Sequence, residues 1–162
     1  MPPRPLKPGS CALTVPRKRF KLPIFRVSAF RNFKQTHFNM ETQFPYATHL
    51  DIKFKHFELI DIPAMVRQCK DKWFNQTLTQ VNDSVVRLGI VEGEYHWHKH
   101  DREDEFFLCL EGRFIIELGN ETITLNPWQG YTISKGVMHR TLAPQKTIIL
   151  MVESAAIQPT GD

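Results

Sequence analysis

Between residues 82 and 120 the chain is punctuated by four short turn signals: Asn82-Asp83, Glu92-Gly93, Glu111-Gly112 and Gly119-Asn120. Pairs of this composition accept the left-handed backbone that tight hairpins need. The intervals between them leave room only for short strands. Rich in β-branched and aromatic residues, these intervals predict strands over Trp73–Val81, Ser84–Val91, Tyr95–His100, Glu105–Leu110, Arg113–Leu118 and Glu121–Leu125. After the longer bend Asn126-Pro127-Trp128-Gln129-Gly130 come Tyr131–Ser134, His139–Leu142 and Thr147–Val152. Strands recurring at about 8–12 residues indicate an all-β sandwich or barrel rather than an alternating parallel sheet.

Ahead of this block, Phe57–Ile62 reads as a strand or extended arm and Pro63–Lys72 as one short helix, with proline suited to its first turn. With 162 residues and 41% hydrophobic residues, the chain can fill one core and not two. The organisation expected is a leader over 1–39, an arm and short helix over 40–72, and a barrel over 73–162.

The leader sets the charge. It holds 9 of the 21 Lys and Arg and none of the 17 Asp and Glu, so the other 123 residues carry 12 basic against 17 acidic groups, a net of −5. A net acidic body has no overall field to attract a phosphate backbone, and nucleic-acid binding is disfavoured. Six prolines in the first 23 residues argue against regular structure there. Residues 24–39 mix Phe25, Phe30, Phe33 and Phe38 with Arg26, Arg31 and Lys34, a blend that can lie on a surface as a short helix. The segment reads either as an upstream extension before a start at Met40 or as an organellar transit peptide. Cys11, Cys69 and Cys109 are odd in number and widely spaced, which fits a reducing compartment, the cytoplasm, unless the leader directs the chain to an organelle. The longest apolar runs have five residues, against the roughly 20 of a membrane-spanning helix.

His96-Trp97-His98-Lys99-His100 sets three imidazoles at alternate positions. Alternate residues of extended chain share a face about 6.5 Å apart, so one ion can receive two of them. The polar run Asp101–Asp104 turns the chain as a solvated loop, and Glu105 opens the next strand where its carboxylate can join. Imidazole nitrogen with one carboxylate oxygen suits iron(II), manganese, cobalt, nickel, copper or zinc better than calcium or magnesium. A bare His-x-His is weak by itself, because strand histidines also serve as surface or core residues.

The wider pattern resembles the cupins, whose first motif is His-x-His, three or four residues, Glu, six residues, Gly. His98, His100, Glu105 and Gly112 match it without a gap. Their second motif ends in Gly-x-x-His, supplied by Gly136-Val137-Met138-His139. The resemblance covers 93–154, and more loosely 57–162, and points to small single-domain members of the cupin-2 type, whose tails the closing Pro159-Thr160-Gly161-Asp162 also resembles. It departs at Gly93, one residue nearer the histidines, and at Trp128, Ser134 and Ala143 in the second motif; Trp128 and Ser134 are expected beside His139. It implies a jelly-roll barrel, or double-stranded β-helix, with one divalent transition metal held by His98, His100, Glu105 and His139.

Period two from Glu105 sends Phe107 and Cys109 inward, and His96 to the face of His98 and His100. His96 is thus the candidate acid or base, weighed against a packed or hydrogen-bonded histidine. Cys109 reads as a small buried hydrophobe. Trp97, Phe106, Leu108 and Leu110 take the opposite parity. With Trp73, Phe74, Ile115 and Trp128 they exceed what one small domain readily buries, so a homodimer is expected. The function implied is metal-dependent chemistry on a small oxygen-bearing organic molecule (dioxygenation, isomerisation, or a lyase or cyclase step). The alternative is a non-catalytic binder or sensor, since a shared fold does not transmit a reaction.

Overall fold

The computed structural model describes residues 46–162, so the leader expectation lies outside the described residues. Eight strands and one helix follow in the order β1 Ala47–His49, α1 Ile62–Gln68, β2 Trp73–Val81, β3 Ser84–Glu94, β4 Glu105–Glu111, β5 Phe114–Leu118, β6 Glu121–Leu125, β7 Gly130–Ile133 and β8 Arg140–Ser154. The expected all-β architecture with one short helix is what forms.

β8 organises the sheet. Its later residues pair with β3 on one side and β4 on the other, while Arg140–Leu142 pair with β5. β2 and β1 extend the β3 edge, β7 extends β4, and β6 extends β5. A strand shared between two sets of neighbours bends the sheet round a corner, the device by which jelly rolls wrap their core. The sheet is not closed into a complete ring. Two expected strands, His139–Leu142 and Thr147–Val152, are thus one continuous element. The chain passes through exposed Pro144 where β8 changes neighbours, a point with no ladder partner for the proline to break.

Period two then sorts the side chains. On β3, Arg87, Gly89 and Val91 turn to the inside of the roll while Leu88 and Ile90 turn to the opposite face; on β8, Ile149, Met151 and Glu153 oppose Ile148 and Leu150. The inner cluster gathers Trp73, Val91, Tyr95, Phe107, Phe114, Ile149 and Met151, with Cys109 also fully buried. The other cluster, Leu78, Leu88, Ile90 and Ile148, is covered by Ile62, Met65 and Val66 of α1. At seven residues α1 is below the about 12 that an isolated helix needs, and this packing holds it. Asp61 caps it by accepting from the Ala64 amide at 2.9 Å, with Pro63 in the first turn as expected. It stops at Gln68, short of Lys72, because Cys69 is already extended.

Two further expectations change. No strand forms over Phe57–Ile62: residues 57–61 are turn and coil, Ile62 already opens α1, and Phe57, at φ 69°, is fully exposed. Tyr95–His100 forms no strand; its single ladder contact is the bridge between His98 and His139.

Candidate metal centre

His98 and His100 lie in the irregular segment between β3 and β4, Glu105 is the first residue of β4, and His139 directly precedes β8. All four are buried, and one ligand atom from each lies within 4.8 Å of the others. Reciprocal backbone bonds hold the two halves together: the His98 amide donates to the His139 carbonyl and the His139 amide to the His98 carbonyl, both at 2.9 Å. The Gly136 amide donates to the His100 carbonyl at 2.6 Å. The two motifs, far apart in sequence, are therefore joined through the backbone at the ligands themselves.

The ring nitrogens are sorted as well. His98 Nδ1 is 3.0 Å from the His96 carbonyl, and His139 Nδ1 is 3.0 Å from the Val137 carbonyl. Each carbonyl accepts the Nδ1 proton, which leaves Nε2 as the ligating nitrogen. Glu105 Oε2 sits 3.3 Å from His139 Nε2 and 3.7 Å from His100 Nε2. Burial and the neighbouring His139 push the His98 pKa down to about 4, and burial lowers that of His100 too. Neutral imidazoles are the form that ligates a metal. Glu105 Oε2 and His139 Nε2 are both buried without a hydrogen-bond partner, a costly arrangement unless another group lies between them. The residues therefore fit a transition-metal ion.

Behind the cluster is a cavity of about 40 Å³ bordered by Trp73, Asn75, Arg87, Tyr95, Phe107 and Glu153, with His98 and Glu105 at its metal-facing end. Arg87 Nε meets Glu153 Oε1 at 2.8 Å, both buried. Glu153 also stands directly across the ladder from Glu105. Burial, with Glu105 as neighbour, pushes the Glu153 carboxyl up to about 8 against the pull of Arg87. The indole Nε1 of Trp73 and Oδ1 of Asn75 have no protein partner.

Arg87, Glu153 and Asn75 escaped the sequence reading. The available signal for the two charged residues was their place against apolar runs: Arg87 inside Val85 to Ile90, and Glu153 directly after Ile148 to Val152. Phe107 and Cys109 point inward as expected, and Cys109 is a buried hydrophobe whose thiol pKa is raised by burial. His96 comes within 5.2 Å of the His98 ring, centroid to centroid. Its Nε2 is engaged 2.8 Å from the Thr160 carbonyl, and it is not among the residues bordering the cavity. Nor are Trp128 and Ser134, both exposed. The expectation that they line the His139 side of the pocket is corrected: Trp128 sits in the bend before β7, where its amide donates to the Cys109 carbonyl.

Residues 85–153 match the family model of the cupin domain, Cupin_2. Uncharacterized protein YdbB of Bacillus subtilis (strain 168) is 40% identical over 91 residues, 56% of this chain and 80% of that protein. The chain belongs to the cupin family. A cupin-2 domain containing protein from Shewanella frigidimarina, known from its crystal structure, shares 31% identity with this cupin over 59% of the chain and 94% of its own, with a TM-score of 0.57. At 20% identity, the conserved SPY1581 protein of unknown function from Streptococcus pyogenes shares the fold, with a TM-score of 0.51 over 72% of this cupin and 99% of its own chain.

Proposed function

We propose that His98, His100, Glu105 and His139 bind one divalent transition-metal ion, and that this cupin acts on a small oxygen-bearing molecule placed between that ion and the polar end of the cavity. The reaction class is dioxygenation, isomerisation, or a related lyase or cyclase step. The observation that carries the reading is the unpaired contact of Glu105 Oε2 with His139 Nε2 inside a buried three-histidine cluster. Iron, manganese, zinc, nickel, cobalt and copper all accept such a donor set. An ion held there supplies Lewis acidity or a binding position for dioxygen.

The chain's own groups narrow the ligand. Trp73 Nε1 offers a donor and Asn75 Oδ1 an acceptor, and both lack protein partners. Arg87 adds a cation, its Nε 2.8 Å from Glu153 Oε1. Such a set recognises a hydroxyl, carboxyl or carbonyl group, with Phe107 and Tyr95 excluding water around it. A volume of about 40 Å³ holds roughly three waters at about 10–15 Å³ each. It therefore encloses one end of a small keto acid, diol, enol or sugar and not a bulky ligand.

The test is metal analysis of untagged wild-type protein beside His98→Ala and His139→Ala, followed by turnover and oxygen-uptake screens of the iron, manganese and zinc forms. One ion per wild-type chain, lost in both variants, is expected. Equal metal content in all three ends the proposal. Inertness of every metal form together with tight ligand binding replaces the enzyme by a binder or sensor using the same pocket.

A further inference from the structure

The segment carrying His98 and His100 has a β neighbour on one side only. From Tyr95 to Asp101 that side is held by the Tyr95 amide on the Thr141 carbonyl, the reciprocal His98–His139 pair and the Gly136 amide on the His100 carbonyl. Its other side is occupied by residues 159–162. Tyr95 donates its hydroxyl to the Pro159 carbonyl at 3.0 Å, and His96 Nε2 lies 2.8 Å from the Thr160 carbonyl. The Asp162 amide donates to the Lys99 carbonyl at 3.0 Å, and Asp162 Oδ2 accepts from the Asp101 amide at 2.7 Å. Four contacts thus run in order along both segments, two from side chains of the histidine segment and two from its backbone. We propose that Pro159–Asp162 is a positioning segment of the metal centre, standing in for the missing strand neighbour and setting where His98 and His100 point.

At Gly161 the tail leaves no room for a side chain against the histidine segment. Its φ is +85°, and a Cβ added there would lie 2.7 Å from His98 Cβ and 3.0 Å from the Lys99 carbonyl oxygen. Real Cβ atoms essentially never approach as closely as 2.7 Å, the 3.0 Å contact is itself tight, and both obstacles are fixed by the main chain. The left-handed conformation adds its own cost for any other residue. Only glycine lets the tail rest directly against the ligand. Pro159 also borders the cavity, so the tail walls the space in which the proposed ligand sits. Groups that hold a metal ligand from behind typically change metal affinity 10–100-fold when removed.

The functional half of this inference rests on the metal reading above; the structural half does not, and the experiment separates them. Gly161→Val, Asp162→Ala and a chain stopping at Gln158 would be compared with wild type in two measurements. In the metal-free proteins, amide hydrogen exchange over residues 97–101 should accelerate at least about tenfold while β2, β3 and β8 keep their protection. Zinc affinity, measured by competition with a chromophoric chelator, should fall by at least about tenfold. Failure of wild type itself to bind zinc defeats the metal reading, and the exchange pattern still decides the tail. Unchanged exchange over 97–101 in all three variants overturns the proposal. So does equal acceleration across β3 and β8, which would make the tail a general brace of the fold. Accelerated exchange with unchanged zinc affinity removes the tail's role in setting the ligands.

Discussion

His98 shows how much a single residue carries here. Its amide and carbonyl both bond to His139, its Nδ1 faces the His96 carbonyl, and Gly161 rests on its Cβ. Burial and His139 hold its pKa at about 4 instead of 6.5. Between those values the folded metal-free protein binds fewer protons at this site than the unfolded chain does. Stability from His98 is therefore complete above pH 6.5 and lost as pH falls toward 4. Glu153, with its raised pKa, contributes in the opposite sense, so the residue must be isolated by difference. The stability of metal-free wild type relative to His98→Asn, from denaturant melts, should drop by on the order of 3 kcal/mol between pH 7 and pH 4. A difference that does not change with pH would contradict this account. His98, His100 and Glu105 were legible from spacing within one short stretch, whereas His139 needed the family motif. Arg87 and Glu153 were not legible, because one charged residue in an apolar strand does not reveal which face it takes or which distant strand supplies its partner.

At the level of elements, the turn signals placed most strands, and Glu121–Leu125 kept both predicted ends. The failures share a cause, which is that alternation describes side chains and not ladders. His98 and His100 are both buried as alternation requires, yet no strand forms between them. In β8 the reverse holds: His139–Leu142 and Thr147–Val152 were expected as separate strands, but Pro144 between them sits where one strand trades β5 for β4. The turns themselves differ in what they demand. Gly112, at φ +87°, would put a Cβ 2.5 Å from Thr147 Oγ1 and 2.9 Å from the Lys146 carbonyl. Thr147 Oγ1 is already committed, donating toward the Arg113 and Gln145 carbonyls and accepting from the Arg113 amide. Gly119, at φ +67°, has open space around it. Gly112→Ala should cost about 2–4 kcal/mol, backbone strain plus a broken hydroxyl network, and Gly119→Ala only about 1 kcal/mol. Denaturant midpoints would show the ranking; equal costs would refute the packing argument at Gly112.

For the whole molecule, not all of the apolar surplus foreseen from composition remains on the surface. Trp73 is buried in the inner core within one chain. Trp128 is 79% exposed, and Trp97, Met138 and Val137 are exposed beside the second motif or the histidine segment, with Arg140 lying over the Trp97 ring. Among the described residues no helix is long and apolar enough to cross a membrane. A second copy of the chain is the simplest cover for these side chains. Sedimentation at micromolar concentration should give about twice the 18.9 kDa chain mass; a monomer would show that the aromatic surface serves another purpose. The position of β8 has one more consequence, for how the protein is made. It is the last strand in sequence, yet β3, β4 and β5 all pair with it. On a ribosome those three strands emerge first and wait with bare edges, and neither sheet pairing nor the ligand cluster can be completed until Arg140–Ser154 has been synthesised. Edges left open in this way invite pairing with other nascent chains. The yield of folded protein should depend more on the speed and fidelity of decoding the final quarter of the message than on any earlier part.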